Sequence, residues 1–464
     1  MCKFLCLALF LFVNVAVAEF PTGKIIEKVE CQQAPGFSYA LYLPSSYQSD
    51  KTWPVLFCYD PRANGMNPAE LFKEAAEKYG YIIVSSNNSG SDDPSVPNLQ
   101  AMKAIYDDAF SRFSVNKQRL YATGMSGGAR VACDMGYKYR GEVAGVIACG
   151  AGFPIDTAPS KDTPFAFYET IGNLDFNYYE IRLLKPKLED SGLPFKIHIF
   201  DGEHWWPPKE VCTDALEWME VQAMKSGKRD KDPVLIEALF TKRLKKAEAQ
   251  KMQGLMIEAA DEYQSISKDF ATLHDVSSAT SEATRLYASD EVKRWQQEET
   301  QRDQLDAQFR QKLQSVNQSL RDSSKNVPKL ESVLAFLDIP SLQKKAKEAP
   351  SKYDRLQAQR LLEVVAVQHG FYLARSFREY GDYPRMALTL SVAAEIHPEE
   401  PLIWYKLAAA QAQMGDKDKA LSSLKHALDH GFKDAEKLES DFDFKTIRDE
   451  KQFKKIVEQL KKNK

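Results

Sequence analysis

The stretch RLYATGMSGG, residues 119–128, determines how the first half of this sequence is interpreted. Its opening residues have the pattern of a buried strand, and residues 129–139 have the pattern of a helix. Between them lies G-x-S-x-G, in which Gly124 and Gly128 leave room for a tight turn around Ser126. Such a turn holds the serine hydroxyl at a helix N-terminus, where the helix dipole stabilises an anion. The segment therefore predicts a nucleophilic serine; the alternative is a glycine-rich turn with an incidental serine.

Strand-like and helix-like runs alternate on either side of this segment. Continuous apolar runs of strand length predict strands that are buried on both faces. The predicted strands are 36–44, 54–60, 81–87, 119–126, 143–150, 163–172 and 195–202. The predicted helices are 68–78, 99–113, 129–139, 178–191 and 209–224. This alternation predicts an α/β domain with a mostly parallel sheet and helices on both faces, over residues 19–225.

A serine nucleophile needs a base, and the base needs a carboxylate to orient it. This domain contains two histidines. His198 lies inside a predicted strand and is interpreted as structural, whereas His204 lies in the loop after the last strand and can reach back over the sheet edge. Asp175 follows the preceding strand, and the alternative acid, Glu169, lies inside that strand. The order Ser126, Asp175, His204 is that of the α/β-hydrolases, so we predict these residues as nucleophile, acid and base.

The same pattern predicts an oxyanion hole made of two backbone N–H groups. One is the N–H of Gly127, directly after the nucleophile. The other should come from the loop 60–65, after the strand 54–60. Pro61 has no N–H, so Arg62 is the predicted donor and Ala63 is the next choice.

Three aromatic residues lie close to the predicted triad in sequence: Trp205, Trp206 and Tyr178. They are candidates for lining a substrate cleft, and packing around the loop that carries His204 is an equally good interpretation. The domain shows no metal-binding cluster and no phosphate-binding loop, so no cofactor is expected.

The residues quoted above resemble a known family. Residues 115–128, 39–44 and 202–207 are similar to the nucleophile region, the first strands and the base loop of the polyhydroxybutyrate-depolymerase and feruloyl-esterase-like α/β-hydrolases. The resemblance covers roughly residues 25–225, which is under half of the chain. It implies the α/β-hydrolase fold and a serine esterase that acts through an acyl-enzyme intermediate. Asp60-Pro61 stands where the family has His-Gly, a departure within the predicted oxyanion loop.

The second half of the chain has a helical pattern. Residues 226–233 form a charged linker that contains breaker residues. Residues 234–345 are predicted as a helical region with a degenerate repeat, and residues 346–464 as tetratricopeptide-like repeats with a closing helical cap. Within the first of these regions, residues 285–325 are rich in Gln, Glu, Asp, Arg and Ser, which predicts a long solvated helix.

The repeat assignment rests on a 34-residue period. The matched pairs are Leu373 and Leu407, Ala374 and Ala408, Gly381 and Gly415, Leu390 and Leu424, and Ala393 and Ala427. The spacing is similar to that of tetratricopeptide repeats, in which small residues let paired helices approach closely. The resemblance implies a protein or peptide partner on a concave face. The alternative is a rigid cap or spacer for the hydrolase domain.

The N-terminus has the pattern of a secretory signal. Residues 1–18 read MCKFLCLALFLFVNVAVA, with a small-x-small end that predicts cleavage after Ala18. The apolar run is shorter than the ~20 residues that a spanning helix needs, so a membrane anchor is the weaker interpretation. We therefore expect an exported chain, in the periplasm or the medium, with no stable membrane span after cleavage. Five cysteines follow the signal, and because five is odd at least one is free or pairs between chains.

Composition narrows the function classes. A chain of 464 residues exceeds one ordinary core, and a net charge of -3 argues against a nucleic-acid surface. The sequence thus predicts an exported serine esterase that acts on a small or polymeric ester and carries a helical repeat module. A serine peptidase or lipase with the same triad, and an inactive hydrolase-repeat binding scaffold, are the alternatives.

Overall fold

A computed structural model of the chain describes residues 20–91, 95–154 and 156–462, so the predicted signal, residues 1–18, lies outside the described residues. Eight strands form one sheet in the first half of the chain. They are β1 Ile25–Glu30, β2 Ser38–Tyr42, β3 Trp53–Tyr59, β4 Ile82–Ser86, β5 Val115–Met125, β6 Val143–Cys149, β7 Ala166–Gly172 and β8 Phe195–Phe200. Their order is β1-β2-β4-β3-β5-β6-β7-β8. Strand β2 pairs antiparallel with β1 and β4, and all pairs from β4 to β8 are parallel. This is the strand order of the α/β-hydrolase fold.

Five helices cover the two faces of the sheet. They are α1 Met66–Tyr79, α2 Asn98–Arg112, α3 Gly127–Lys138, α4 Tyr178–Ser191 and α5 Lys209–Lys225. Alternate residues of one strand enter opposite cores: Val55 and Phe57 pack with α2 and α3, and Leu56 packs with α1 and α5. Burial on both faces explains why these strands are continuous apolar runs. The predicted α/β class with a mostly parallel sheet is confirmed, although the sequence analysis missed β1.

The parallel strands all point their carboxyl ends at one edge of the sheet. Loops after β3, β5, β7 and β8 therefore meet there, and these loops carry the predicted site residues. In open α/β sheets this edge is where ligands bind.

The second half of the chain is helical. After α5 the helices are α6 Pro233–Met252, α7 Met256–Phe270, α8 Ser277–Tyr287, α9 Asp290–Arg321, α10 Leu330–Phe336, α11 Ile339–Glu348, α12 Lys352–Val367, α13 Ala374–Glu379, α14 Tyr383–Ile396, α15 Pro401–Gln413, α16 Lys417–Asp429, α17 Ala435–Ser440 and α18 Lys451–Lys462. A π-helical turn, Gln368–Leu373, joins α12 to α13. Over the described residues, none of these helices combines the length and apolarity needed to cross a bilayer.

The helical region packs directly on the α/β domain. Val221 and Met224 of α5 share a buried cluster with Leu239 and Phe240 of α6. Further on, Lys196 of β8 forms an ion pair with Glu262 of α7 at 3.0 Å. The predicted linker is therefore a short connection between two packed helices.

Helix α9 differs from its prediction. It is long, with 32 residues, but one face is buried, so the expectation of a solvated helix was wrong for that face. The buried side chains are Val292, Glu299, Arg302, Asp306, Phe309, Leu313, Asn317 and Leu320. Its polar composition concealed this burial because several buried side chains are charged and pair with each other, as Arg302 does with Glu299 at 2.8 Å.

The two halves of the 34-residue period have the same turn. Gly381 and Gly415 have left-handed φ values of 69° and 79°, a conformation that glycine adopts without strain. Each is followed by an aspartate, Asp382 or Asp416, that caps the next helix. The tetratricopeptide assignment and the predicted domain limits remain predictions, and one buried cluster contains residues from both sides of position 345.

Candidate active site

Ser126 lies at a sharp turn between β5 and α3. Its φ of 54° and ψ of -123° are a conformation that non-glycine residues rarely adopt. A Cβ atom at Gly124 would overlap the carbonyl oxygen of Gly128, and one at Gly128 would overlap the carbonyl oxygen of Tyr59. The two glycines therefore allow β3, β5 and α3 to approach closely enough to force this turn. This crowding agrees with the sequence analysis, in which Gly124 and Gly128 leave room for a tight turn around Ser126.

The structure brings Ser126, His204 and Asp175 into one chain of hydrogen bonds. His204 Nε2 lies 2.9 Å from Ser126 Oγ, and His204 Nδ1 lies 2.8 Å from both carboxylate oxygens of Asp175. An ionised carboxylate only accepts hydrogen bonds, so the imidazole proton belongs on Nδ1 and Nε2 is left to accept from the serine hydroxyl. Asp175 is 0% exposed and also accepts the N–H of Asn177 at 2.7 Å.

Two residues that the sequence analysis missed connect the loops of this site. We call residues 172–177 the acid loop and residues 201–208 the base loop. Asn173 of the acid loop donates from Nδ2 to Asp201 at 2.8 Å and accepts the N–H of Gly202 at 3.2 Å, so it joins the two loops. The ring of Phe176 lies 4.0 Å from the imidazole of His204, centre to centre. Their only signal in the sequence is that they are neighbours of Asp175.

The two residues set aside in the sequence analysis lie away from this chain of contacts. Glu169 is buried in β7, and neither of its carboxylate oxygens has a hydrogen-bond partner among the described residues. Burial raises the pKa of Glu169 well above its usual value, which favours its neutral form and makes it unsuited to stabilising an imidazolium. His198 in β8 bonds Tyr168 Oη at 2.9 Å, and burial lowers its pKa to about 3. Both behave as structural residues of their strands.

The predicted oxyanion donors differ in their availability. Gly127 is the first residue of α3, so its N–H has no partner within the helix. Arg62, in contrast, already donates its N–H to Asp60 Oδ1 at 2.8 Å, and Ala63 donates to the Asp60 carbonyl at 3.1 Å. The second oxyanion donor therefore stays a prediction, and in this structure both N–H groups are engaged within their own loop. The physical reason is an Asx-type turn, in which an aspartate bonds its own backbone two residues on.

Of the three predicted cleft residues, Trp205 is the one whose side chain is largely exposed to solvent. It is 56% exposed, and the Arg62 guanidinium lies 4.7 Å from its ring centre. Trp206 is 6% exposed and donates from Nε1 to Asp60 Oδ2 at 2.8 Å, so it packs rather than lines a cleft. Tyr178 is half-buried, with the guanidinium of Arg360 4.1 Å from its ring centre.

The part of the chain that the structure describes contains neither a metal-binding cluster nor a disulfide. No group of three or more His, Cys, Asp or Glu residues there is arranged to hold a metal ion. All five cysteines in the described part of the chain are buried and free: Cys31, Cys58, Cys133, Cys149 and Cys212.

The chain is similar to solved structures of serine hydrolases and esterases over less than half of its length. No family model matches the sequence, and no curated protein matches it. Among solved structures, the fluorophosphonate-binding serine hydrolase FphF of Staphylococcus aureus is 13% identical, with a TM-score of 0.37, and the alignment covers 43% of this chain and 99% of that one. An esterase of Pyrobaculum calidifontis is 13% identical, with a TM-score of 0.36 and coverage of 44% and 87%.

A third solved structure is a peptidase. Dipeptidyl peptidase 4 of Porphyromonas gingivalis is 14% identical, with a TM-score of 0.33, and the alignment covers 42% of this chain and 35% of that one. The fold assignment rests on the strand order given above.

Proposed function

We propose that this chain is a serine hydrolase that cleaves carboxylic esters. The observation that carries the proposal is the position of His204, whose two ring nitrogens contact Ser126 and Asp175 at 2.9 and 2.8 Å. A hydroxyl on a strained turn, a base within hydrogen-bond distance and a buried carboxylate behind the base are the parts that acyl transfer requires.

The proposed reaction proceeds in two halves. His204 Nε2 takes the proton from Ser126 as Oγ attacks the ester carbonyl carbon, and Asp175 stabilises the imidazolium that forms. His204 then gives that proton to the departing alkoxide, which leaves as the alcohol, and the acyl group stays on Ser126. Water, deprotonated by His204, attacks the acyl-enzyme and releases the carboxylic acid with Ser126 restored.

The oxyanion of each tetrahedral intermediate needs hydrogen-bond donors. We assign the first to the N–H of Gly127, at the start of α3, where the helix dipole also favours negative charge. Arg62 contributes a second donor only after its N–H leaves Asp60. Trp205, open to solvent next to the base, is the proposed wall of the cleft.

The proposal extends to the whole chain. Residues 1–18 support export, and the equivalent turns at Gly381 and Gly415 support a tetratricopeptide-like module that takes a protein or peptide partner. A peptidase or lipase that uses the same triad remains the second candidate because the three contacts suit either reaction.

The test compares substrates and one nucleophile variant. Purified chain is assayed with nitrophenyl esters of increasing acyl length and with matched peptide anilides, in wild type and in Ser126→Ala. We expect turnover of short esters, and a loss of about six orders of magnitude in the variant without loss of folding. Ser111→Ala, which removes a hydroxyl bonded to a carbonyl in α2, is the control and should keep full activity.

A fluorophosphonate probe gives a second measurement. It should label Ser126 in folded wild type, as mapped by peptide mass spectrometry. Full ester turnover in Ser126→Ala, or faster cleavage of anilides than of esters, would contradict the proposal. An unlabelled Ser126 in folded protein would favour the binding scaffold.

A further inference from the structure

Two arginines of the helical region bind the acid loop. Arg360 of α12 donates from Nη1 to the carbonyl oxygen of Asn173 at 2.8 Å. Arg310 of α9 donates from Nη2 to the carbonyl oxygen of Phe176 at 3.1 Å. These two carbonyls lie on either side of Asp175 in the chain, so the loop that carries the acid is held on both sides of it.

The same guanidinium groups also stack on the residues that follow the loop. Arg360 lies 4.1 Å from the ring centre of Tyr178, and Arg310 lies 4.9 Å from that of Tyr179. A planar guanidinium can lie over a ring while its N–H groups donate in the plane of the guanidinium itself, which an ammonium cannot do. Each arginine therefore fixes the acid loop relative to the start of α4.

Phe176 connects these contacts to the base. Its side chain packs against the buried cluster of the helical region, and its ring lies 4.0 Å from His204. The helical region thus reaches the imidazole through one side chain as well as through two backbone carbonyls.

Arg310 and Arg360 differ from Arg182, a third arginine of the same interface, in whether the guanidinium forms an ion pair. Among the described residues neither Arg310 nor Arg360 forms an ion pair, although the buried carboxyl of Asp306 is close enough to favour both charges. Arg360 is 8% exposed, and burial lowers the pKa of both guanidinium groups. Arg182 of α4, in contrast, pairs with Asp303 of α9 at 2.9 Å. A buried cation without an ion pair lowers the stability of the fold. We therefore expect these arginines to do more than hold the helical region against the α/β domain.

We propose that Arg310 and Arg360 are positioning residues, through which the helical region holds Asp175 and His204 in the reactive arrangement with Ser126. This inference rests on the proposed function. Neither arginine contacts the reacting atoms, so their loss should misplace the base and lower kcat with little change in KM.

The experiment replaces each arginine in the full chain by methionine, which keeps the length of the side chain but removes the donor and the charge. With a nitrophenyl acetate substrate we expect kcat to fall about 10- to 100-fold in Arg310→Met and Arg360→Met, because misplacement by about 1 Å has effects of this size. Arg360→Lys, which keeps a donor but loses the stacking, should recover part of the kcat. Arg182→Met is the matched control, since the Arg182 guanidinium bonds Asp303 of α9 and not a carbonyl of the acid loop, and it should keep the wild-type kcat.

A second readout does not depend on turnover. The proton on His204 Nδ1, bonded to a carboxylate, should give a far-downfield signal in the proton NMR spectrum of wild type and of Arg182→Met. We expect the signal to weaken or to move upfield in Arg310→Met and Arg360→Met. If a methionine variant shows no cooperative melting transition, the corresponding lysine variant, Arg310→Lys or Arg360→Lys, decides. A kcat below wild type with the melting temperature retained supports the inference, and wild-type kcat overturns it.

The outcomes separate this inference from the proposed function. If wild type turns over esters and both methionine variants match Arg182→Met in kcat and in the NMR signal, the positioning role is wrong and the proposed function stands. If wild type turns over no ester while the signal still depends on Arg310 and Arg360, the proposed function is wrong and the positioning of His204 stands.

Discussion

Asp60 bonds the loop after β3 to the base loop. Its Oδ1 accepts the N–H of Arg62 at 2.8 Å, and its Oδ2 accepts the indole N–H of Trp206 at 2.8 Å and the amide of Asn67 at 3.3 Å. The residue is 3% exposed, so its carboxylate has little access to water as a substitute partner. A single side chain thus fixes the distance between the loop expected to bind the oxyanion and the loop that carries the base.

Asp60→Asn tests this role at the residue scale. An asparagine presents one oxygen and one NH₂ group, so either the indole of Trp206 or the N–H of Arg62 loses its acceptor. We expect the free energy of unfolding to fall by about 1–3 kcal/mol, as for other unsatisfied buried donors. The measurement is urea denaturation followed by circular dichroism.

The control for Asp60 is Asp107→Asn. Asp107 pairs with Lys103 on the surface of α2, and such pairs contribute less than about 1 kcal/mol. Equal losses of stability in the two variants would show that Asp60 has no special structural role.

At the same scale, the sequence was enough to predict that Ser126, Asp175 and His204 lie together, but not to identify the residues that hold their loops. Ser126, Asp175 and His204 each follow a predicted strand, and the carboxyl ends of parallel strands share one edge of the sheet. Arg310 and Arg360 lie 134 and 187 residues from the carbonyls that they bind, and no local pattern encodes such a contact. The pairing of Arg62 could have been expected, because aspartate before proline favours a turn in which its side chain accepts a nearby N–H.

At the scale of elements, the inner strands were predictable because they are buried on both faces. Strand β1 was missed because it lies at the sheet edge and three of its side chains are exposed, which breaks the apolar run. Helix α9 was found, but its buried face was not, because charged residues that pair inside a protein look the same in sequence as those on its surface.

The junction of β3, β5 and α3 allows a prediction about packing. In Gly128→Ala the new methyl group would overlap the backbone carbonyl of Tyr59, which cannot move without disturbing β3. We expect a loss of about 3 kcal/mol in the free energy of unfolding. In Gly141→Ala nothing lies within 4 Å and only the φ of 86° is unfavourable, so about 1–2 kcal/mol is expected. Chemical denaturation of both variants would reveal whether this ranking is reversed.

The pairing of α12 with α14 predicts a pH dependence. His397 Nε2 lies 2.7 Å from Glu363, and this hydrogen bond is the main reason that the pKa of His397 rises from 6.5 to about 9. A raised pKa in the folded state means that the pair stabilises the fold fully below pH 6.5 and loses this contribution as the pH rises through 9. The group is about one-third exposed, so we expect less than about 1 kcal/mol.

The measurement for His397 is the difference in unfolding free energy between wild type and His397→Gln from pH 6 to pH 10. The difference should shrink as the pH rises, and in a Glu363→Gln background it should be small throughout. A difference that grows with pH would have the wrong sign for this pair.

At the scale of the whole molecule, the α/β domain and the helical region form one packed body. Val221 and Met224 are buried among side chains of α6 and α7, and ion pairs join Lys196 to Glu262 and Arg182 to Asp303. The acid loop lies within the same interface.

This interface predicts the behaviour of a cleaved chain. A specific protease site inserted after Asp230, in the exposed connection before α6, should allow complete cleavage without separation of the halves. We expect the two fragments to elute together in size-exclusion chromatography and to keep the melting temperature of the uncut chain to within a few degrees. Elution as two separate species in non-denaturing buffer would show that the interface does not hold the halves together.

The contacts of Arg310 and Arg360 with carbonyl oxygens have a consequence for mutational tolerance. Every amino acid carries a backbone carbonyl, so the acceptors that these arginines bind do not depend on the loop sequence. The N–H of Leu174, which donates to the carbonyl oxygen of Gly202, is likewise present in every residue except proline. A selection for active clones from a library randomised at position 174 should therefore return many different residues, whereas one randomised at position 360 should return mainly arginine, followed by lysine. The sequence of the acid loop can therefore change during evolution as long as Arg310 and Arg360, which bind its backbone, are retained.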